Sequence, residues 1–329
     1  MKTCALIYNP IAGRHPARRE KQIRQAADIL QGSGLRVRVA ATTAPEEAQT
    51  LARDAAGDGT DLILVCGGDG TINEVINGLA PGRTPLGILP GGTANMLAKE
   101  LRLPHDPVRA AAEVLRWTPR RIALGQATWN VQAAVTPGFS PAHAALKGGA
   151  TGAAAPNRRY FASVAGIGFD AQIVCKLSPH LKLSWGVAGY VFEAFRQWVR
   201  YPFPLFICKT EERESRATFA VVQRTGVYAG WLHLSPRANI FEPRFTVCTF
   251  PSRSRGRYLL YAAAVLMRRH LRLRDVEMVD AWNVSCSLAD TSVTPQFELD
   301  GELGGTLPAS FEIVPDALTL LVPPHVKGN

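Results

Sequence analysis

A chain of 329 residues, 47% of them hydrophobic, has length for about two domains and enough apolar content for a core in each, which excludes a peptide-like or disordered chain. Charged residues make up only 19%, and 37 Lys and Arg against 27 Asp and Glu leave a formal charge of +10, so the excess reflects a shortage of acids and favours anionic partners. The six cysteines, Cys4, Cys66, Cys175, Cys208, Cys248 and Cys286, stand singly with no C-x-x-C pair; this argues against a zinc module or a secreted disulfide scaffold and for buried thiols in a reducing cytoplasm.

The apolar run at the N-terminus is too short for a signal-peptide core and ends at Pro10, so it reads as a first β-strand, Ala5 to Tyr8. From there to Arg121 short β-like runs alternate with helical ones: Ala17 to Leu30, Val37 to Ala41, Glu46 to Ala56, Leu62 to Val65, Ile72 to Leu79 and Leu86 to Leu89. Ala94 to Leu101 and Pro107 to Trp117 then read as helices. The alternation predicts an α/β domain with a parallel sheet, and the unbroken apolar run Leu62 to Val65 predicts a strand covered on both faces.

Two glycine loops interrupt this region. Cys66-Gly67-Gly68-Asp69-Gly70-Thr71-Ile72-Asn73-Glu74 follows the apolar strand and opens a helix, where an open α/β sheet binds its ligands. Its glycines let backbone approach a ligand, and the helix start offers N–H groups to phosphate oxygens. No Lys follows, as a Walker A loop requires, and Asn73 stands where a dinucleotide fingerprint needs its third glycine. Asp69 would repel phosphate unless a cation lies between them, and Mg²⁺ carried by a nucleotide meets that need; otherwise Asp69 caps a tight structural turn. Leu89-Pro90-Gly91-Gly92-Thr93-Ala94-Asn95 repeats the grammar, and Asn9-Pro10-Ile11-Ala12-Gly13 is either a third wall of one cleft or a plain turn.

After Arg121 the texture becomes mostly β, with runs at Phe219 to Gln223, Phe245 to Phe250, Glu277 to Val279 and Val284 to Leu288. The Ala-, Gly- and Pro-rich stretch 129–159 reads as a flexible surface loop. Tyr190 to Arg274 holds 15 Arg and Lys against 5 acids and so carries the whole charge excess. Within it, Tyr190 to Tyr201 mixes Phe192, Phe195, Trp198 and Val199 with Arg196 and Arg200, and Tyr258 to Met267 precedes Arg268, Arg269, Arg272 and Arg274. These segments lie on an anionic membrane, or they are ordinary amphipathic helices whose apolar face is core. No nucleic-acid recognition motif accompanies the charge. The run Tyr258 to Met267 is about half of the roughly 20 residues that a membrane-spanning helix needs, so membrane association would be peripheral. Glu298-Leu299-Asp300-Gly301-Glu302-Leu303 has the form of a hairpin with an Asp-Gly turn.

Together these residues resemble the catalytic domain shared by diacylglycerol kinases, sphingosine and ceramide kinases and soluble bacterial lipid kinases. The matches are Asn9-Pro10-x-Ala12-Gly13, Gly67-Gly68-Asp69-Gly70-Thr71-x-Asn73-Glu74, Pro90-Gly91-Gly92-Thr93-Ala94-Asn95-x-x-Ala98, Gly166-Ile167-Gly168-Phe169-Asp170-Ala171 and Leu299-Asp300-Gly301-Glu302. NAD kinases also carry GGDGT, but the combination with P-x-G-T-x-N and a late D-G-E is that of the lipid-kinase branch.

The resemblance implies an α/β nucleotide domain with a parallel sheet over 1–122, a mainly β-sandwich lipid-substrate domain over 123–310, and a C-terminal segment, 311–329, that returns to the first. It implies ATP and Mg²⁺, with ATP-side roles for Asn9, Pro10, Ala12, Gly13, Thr42, Gly67, Gly68, Asp69, Gly70, Thr71, Asn73, Gly92, Thr93 and Asn95. Asp69 would also meet the nucleotide's Mg²⁺. Asp300 or Glu302 would accept a proton from a lipid hydroxyl, the other orienting it. The expected activity is transfer of the γ-phosphoryl group to a diacylglycerol or sphingoid-type lipid by a cytoplasmic, peripherally membrane-associated enzyme. Which lipid, and whether a second copy forms a homodimer, stay open at this stage. An NAD-kinase-like enzyme and a non-catalytic lipid- or nucleotide-binding protein are the alternatives.

The chain departs from the family twice. Met96 stands where many relatives have Asp, which removes a carboxylate near the cleft. Asn239-Ile240-Phe241-Glu242-Pro243-Arg244 stands where some bacterial relatives bind a structural Mg²⁺ through an acidic loop, so that metal site is not expected here.

Overall fold

The computed structural model describes residues 1–13, 16–130, 155–177, 187–229, 232–289 and 293–326. Strands β1 (Thr3–Tyr8), β2 (Arg36–Ala41), β3 (Leu62–Gly67) and β4 (Pro85–Pro90) pair in parallel in the order β2-β1-β3-β4. The connections run through α1 (Pro16–Gly32), α2 (Glu47–Gly57) and α3 (Asp69–Leu79), and α4 (Met96–Glu100) and α5 (Pro107–Glu113) follow β4. All of β3 is buried, as its unbroken apolar run requires of a strand covered on both faces. The helix expected over Ala94 to Leu101 is shorter because Asn95 takes a left-handed conformation, φ 51°, and α5 closes in a 3-10 turn at Val114–Arg116.

β5 (Thr118–Trp129) leads into the second lobe. There β6 (Asn157–Phe161), β7 (Val164–Gly168), α6 (Phe169–Lys176), α7 (Val187–Arg200), β8 (Phe206–Lys209), β9 (Glu214–Ala217) and β10 (Phe219–Gln223) are followed by the small ribbon β11 (Val227–Tyr228) and β12 (Leu232–His233). Then come β13 (Phe245–Phe250), α8 (Arg255–Leu266), β14 (Glu277–Ala281), β15 (Asn283–Leu288), β16 (Gln296–Leu299), β17 (Glu302–Thr306) and β18 (Ala309–Val322). One sheet, β14-β13-β10-β7-β16-β17, faces the other across a core that includes Phe161, Phe206, Phe245, Phe297 and Phe311. Phe161 stacks on Phe245 at 5.7 Å between centroids, and Phe297 meets Phe311 edge-on at 5.6 Å, both favourable aromatic geometries.

The lobes share a sheet. The first half of β18 pairs with β15, while Thr319 and Leu320 lie parallel to Pro85 and Leu86 of β4; β5 pairs antiparallel along both halves. The boundaries drawn at 122/123 and 310/311 therefore fall inside continuous strands that run through both lobes. Of the stretch 129–159 read as a loop, 131–154 lies outside the described residues. Asn157, Arg158 and Arg159 belong to β6, which pairs with β5, so this part of the expectation is corrected: cross-strand pairing, not local composition, sets their conformation. Cys4, Cys66, Cys208, Cys248 and Cys286 are buried free thiols, and burial pushes Cys66 up to about 11. Among the described residues no helix is long and apolar enough to cross a membrane.

Candidate active site

Because β1, β3 and β4 are neighbours, their three following loops lie side by side at one end of the sheet. The β1 loop is folded by Asn9, whose Oδ1 accepts the Ile11 N–H at 3.0 Å and whose Nδ2 donates to Thr71 Oγ1 at 3.2 Å in the next loop. Gly13 has φ +78°, and a side chain there would strike the Gly91 carbonyl. Gly92 packs so closely on Gly68 that a Cβ would come within 2.4 Å of the Gly68 Cα. Asn95 braces its own loop, accepting from Gly92 N–H and donating to Gly92 O, both at 2.8 Å.

Asp69 links two loops. Its carboxylate accepts the Asn95 N–H at 2.9 Å and the Met96 N–H at 2.6 Å, fixing the start of α4 against the start of α3. The Met96 side chain is buried with Val164, Tyr201 and Phe203 of the second lobe and so supplies inter-lobe packing.

Asp300 and Gly301 form the two-residue turn between β16 and β17, with φ 51° and 86°, both positive as the type I′ turn needs. Asp300 is buried and spent as an acceptor. It receives the N–H groups of Ala162, Ser163 and Val164 at 2.8–2.9 Å, and Asn73 Nδ2 at 2.9 Å. Burial raises its pKa, opposed by those three backbone donors and Asn73. Glu302 lies differently, part-exposed, with Oε2 on Arg159 Nη2 at 2.7 Å and its carboxyl directly over Gly70; a Cβ on Gly70 would sit 1.9 Å from Glu302 Oε1. The carboxylate of the second lobe thus meets the glycine loop of the first.

Asn73, expected on the nucleotide side, is spent between the lobes. Nδ2 donates to Asp300 and to Tyr160 O, while Oδ1 accepts from Arg159 Nε at 2.9 Å and from Asn77 Nδ2 at 3.1 Å. Thr42 is buried at the end of β2, its N–H on Tyr8 O at 2.8 Å, beside the β1 loop. Pro10, Ala12 and Thr93 lie within the three loops, and Gly67 ends β3. Glu74 faces α2, accepting the Ala48 N–H at 3.2 Å, and burial first, then the charge of Glu302, raises its pKa.

Two basic residues that sequence patterning missed complete the site. Arg19 of α1 is buried beneath the loops and donates to Gly91 O at 2.6 Å and Ala12 O at 3.2 Å. Arg159 joins Glu302 to Asn73. Nothing in the Arg18-Arg19 pair or in the Ala- and Gly-rich neighbourhood of Arg159 marks either one.

A second tier supports the turn. Gly301 N–H donates to Glu298 Oε2 at 2.6 Å, and the Glu298 and Asp170 carboxyls converge over Gly166, where a Cβ would meet both. Tyr190 of α7 donates to Asp170, and the Tyr228 hydroxyl also contacts it. Burial first, then the neighbouring charge of Asp170, holds Glu298 well above the usual carboxylate range. Desolvation likewise raises Asp170. Two carboxyls this close in an apolar interior share a proton rather than ionise together.

Against the 239–244 loop lies the buried side chain of Arg224. Its guanidinium donates to the carbonyls of Ile240 at 2.6 Å, Arg244 at 3.1 Å, Ala123 at 2.9 Å and Glu242. Burial brings it down to about 10.

Glycine loops at the ends of parallel strands, closed by a carboxylate turn from a β-sandwich lobe, define a two-lobed architecture of the NAD-kinase and diacylglycerol-kinase type. The chain matches the diacylglycerol kinase catalytic domain over residues 3–127 and the YegS C-terminal NAD kinase beta sandwich-like domain over 163–322, and it belongs to the diacylglycerol kinase-like family of lipid kinases. It is 27% identical to a diacylglycerol kinase of Bacillus subtilis over 323 residues, covering 94% of this chain and 93% of that one. It is also 27% identical to a diacylglycerol kinase of Mycobacterium tuberculosis over 325 residues, covering 97% and 94%. The fold matches a diacylglycerol kinase crystal structure from Bacillus anthracis with TM-score 0.67 at 17% identity, over 99% of this chain and 98% of that one. A second crystal structure from that organism gives TM-score 0.75 at 19% identity, over 99% and 97%.

Proposed function

We propose that the protein transfers the γ-phosphoryl group of ATP to the hydroxyl of a lipid of the diacylglycerol or sphingoid type, presented at a membrane surface. The observation that carries this reading is the seat of Glu302, a part-exposed carboxylate from the lipid-side lobe held over Gly70 of the phosphate-side loop. The name diacylglycerol kinase, borne by the relatives from Bacillus subtilis and Mycobacterium tuberculosis, supports the same substrate class.

In this mechanism the backbone around the Gly13, Gly68 and Gly92 loops and the start of α3 receives the phosphates, the glycines letting the three loops pack closely enough to form one wall. Arg19 beneath them adds positive charge and holds Ala12 and Gly91 in place. Glu302 takes the proton of the lipid hydroxyl as its oxygen bonds to the γ-phosphorus and the bond to the β-phosphate oxygen breaks, releasing ADP. Asp300, with its acceptor sites filled by N–H groups, positions the turn; Arg159 orients Glu302.

Among the described residues no cluster of three His, Cys, Asp or Glu suits a metal, so the donor set fits an ion that arrives on the nucleotide and meets one protein carboxylate, Asp69. Such a Mg²⁺ offsets charge on the phosphates.

The test is to incubate the purified protein with labelled ATP and Mg²⁺, against total lipid extract and separately against NAD, and identify products by mass. A labelled lipid phosphate supports the reading. Label on NAD with none on lipid overturns it.

A further inference from the structure

Helix α7 is built inside out. Tyr190, Glu193 and Gln197, spaced i, i+3 and i+7, form its inner face, with Glu193 fully buried and Gln197 donating to it. Gln172 of α6 donates to Gln197 at 3.3 Å, so these polar groups are satisfied internally. Val191, Phe192, Phe195 and Val199 point outward instead, Phe192 at 57% and Phe195 at 62% exposed. A helix on the surface of a water-soluble domain places its apolar stripe inward, so this arrangement leaves an apolar face turned outward as a docking surface.

Helix α8 extends the face. Trp198 Nε1 donates to Arg255 O at 2.9 Å and Arg255 Nε to Trp198 O at 3.2 Å, joining the end of α7 to the start of α8. α8 buries Tyr258, Tyr261 and Ala264 but exposes Leu259, Leu260 and Leu266, and exposed Met267 follows. Arg196, Arg200, Arg268, Arg269, Arg272 and Arg274 on and next to these helices are exposed. The acids close by are already engaged: Glu193 is buried against Arg196, and Asp275 pairs with Arg257.

We propose that the joined α7–α8 face docks on an anionic phospholipid bilayer, its apolar side chains among the acyl chains and its arginines at the headgroups. Charge selects this occupant. A second copy docked by the same face would set arginines against arginines, whereas an anionic bilayer offers apolar interior and negative surface together. The inference deepens the lipid-kinase reading by naming the surface that meets the membrane, and its test needs no catalysis.

The full chain, without ATP, is sedimented with vesicles of phosphatidylcholine alone or mixed with phosphatidylglycerol. Binding is expected to the mixed vesicles and to weaken with salt. Each arginine at such a surface contributes about a fivefold change in partition, so R268E/R269E should bind at least ~25-fold more weakly. F192S/F195S should lose about tenfold or more through its lost apolar burial. Both pairs lie on the outer surface, and thermal melts matching the wild type separate lost binding from lost folding. No binding to anionic vesicles by the wild type, or unchanged binding by both folded variants, overturns the proposal. So does a wild-type dimer, free of vesicles, that F192S/F195S splits. Failure of the lipid-labelling assay with vesicle binding intact would overturn the catalytic reading alone.

Discussion

Glu302 occupies the space that a side chain on Gly70 would fill, Oε1 lying 1.9 Å from the position of that absent Cβ. Sequence positions more than two hundred residues apart are thus matched in volume, and the match places a carboxylate at the glycine-rich start of α3. Gly70→Ala should push the flexible end of Glu302 aside while α3 stays formed, because alanine suits a helix better than glycine. On the proposed mechanism, moving the Glu302 carboxylate should lower kcat roughly 10²-fold or more with nucleotide affinity largely kept, measured by steady-state phosphate transfer and nucleotide titration.

Asp300 should behave as a structural acid. Asp300→Asn turns an NH₂ group toward at least one of the N–H donors that now converge on the carboxylate, leaving buried donors unpaired. The expected loss is about 3 kcal/mol of stability, read as a lowered denaturation midpoint with an unchanged denaturant slope.

The Glu298–Asp170 pair predicts a pH dependence of stability. Glu298 has a folded-state pKa raised by burial, so its contribution is fully present below the unfolded value, about 4.3, and is lost as pH rises toward the folded one. Glu298→Gln keeps an acceptor for Gly301 N–H and offers Asp170 a permanent donor. Melting temperatures from mildly acid to alkaline pH should fall more steeply for the wild type than for E298Q; parallel curves would count against the shared proton.

Arg224 predicts independence from a structural metal at the 239–244 loop. Chelator should leave the melting temperature of the nucleotide-free protein unchanged. Arg224→Met, which strips four carbonyls of their donor, should lower stability by roughly 3 kcal/mol or more, with no rescue by added Mg²⁺.

The three loops were legible because each follows an apolar strand and is marked by glycines, and a parallel sheet places such loops at one end. The Asp300-Gly301 hairpin was legible from its turn chemistry. The division of labour between Asp300 and Glu302 was not, since it depends on which carboxyl meets the Ala162–Val164 backbone and which meets Gly70, contacts made across the whole chain. Arg19, Arg159 and the inter-lobe use of Asn73 were hidden for the same reason. Pattern showed that Tyr190 to Tyr201 mixes Phe192, Phe195, Trp198 and Val199 with arginines, but it could not say whether the apolar face of α7 points in or out. The buried partners Gln172 and Asp170 decide that.

The most direct test of the central claim is a single-turnover experiment with Glu302→Gln, using labelled ATP, Mg²⁺ and the lipid that the wild type phosphorylates. Arg159 can still donate to the glutamine oxygen, so the variant should fold and bind nucleotide as the wild type does, yet form labelled lipid roughly 10²–10⁴-fold more slowly. Wild-type transfer by a folded E302Q protein would contradict the account.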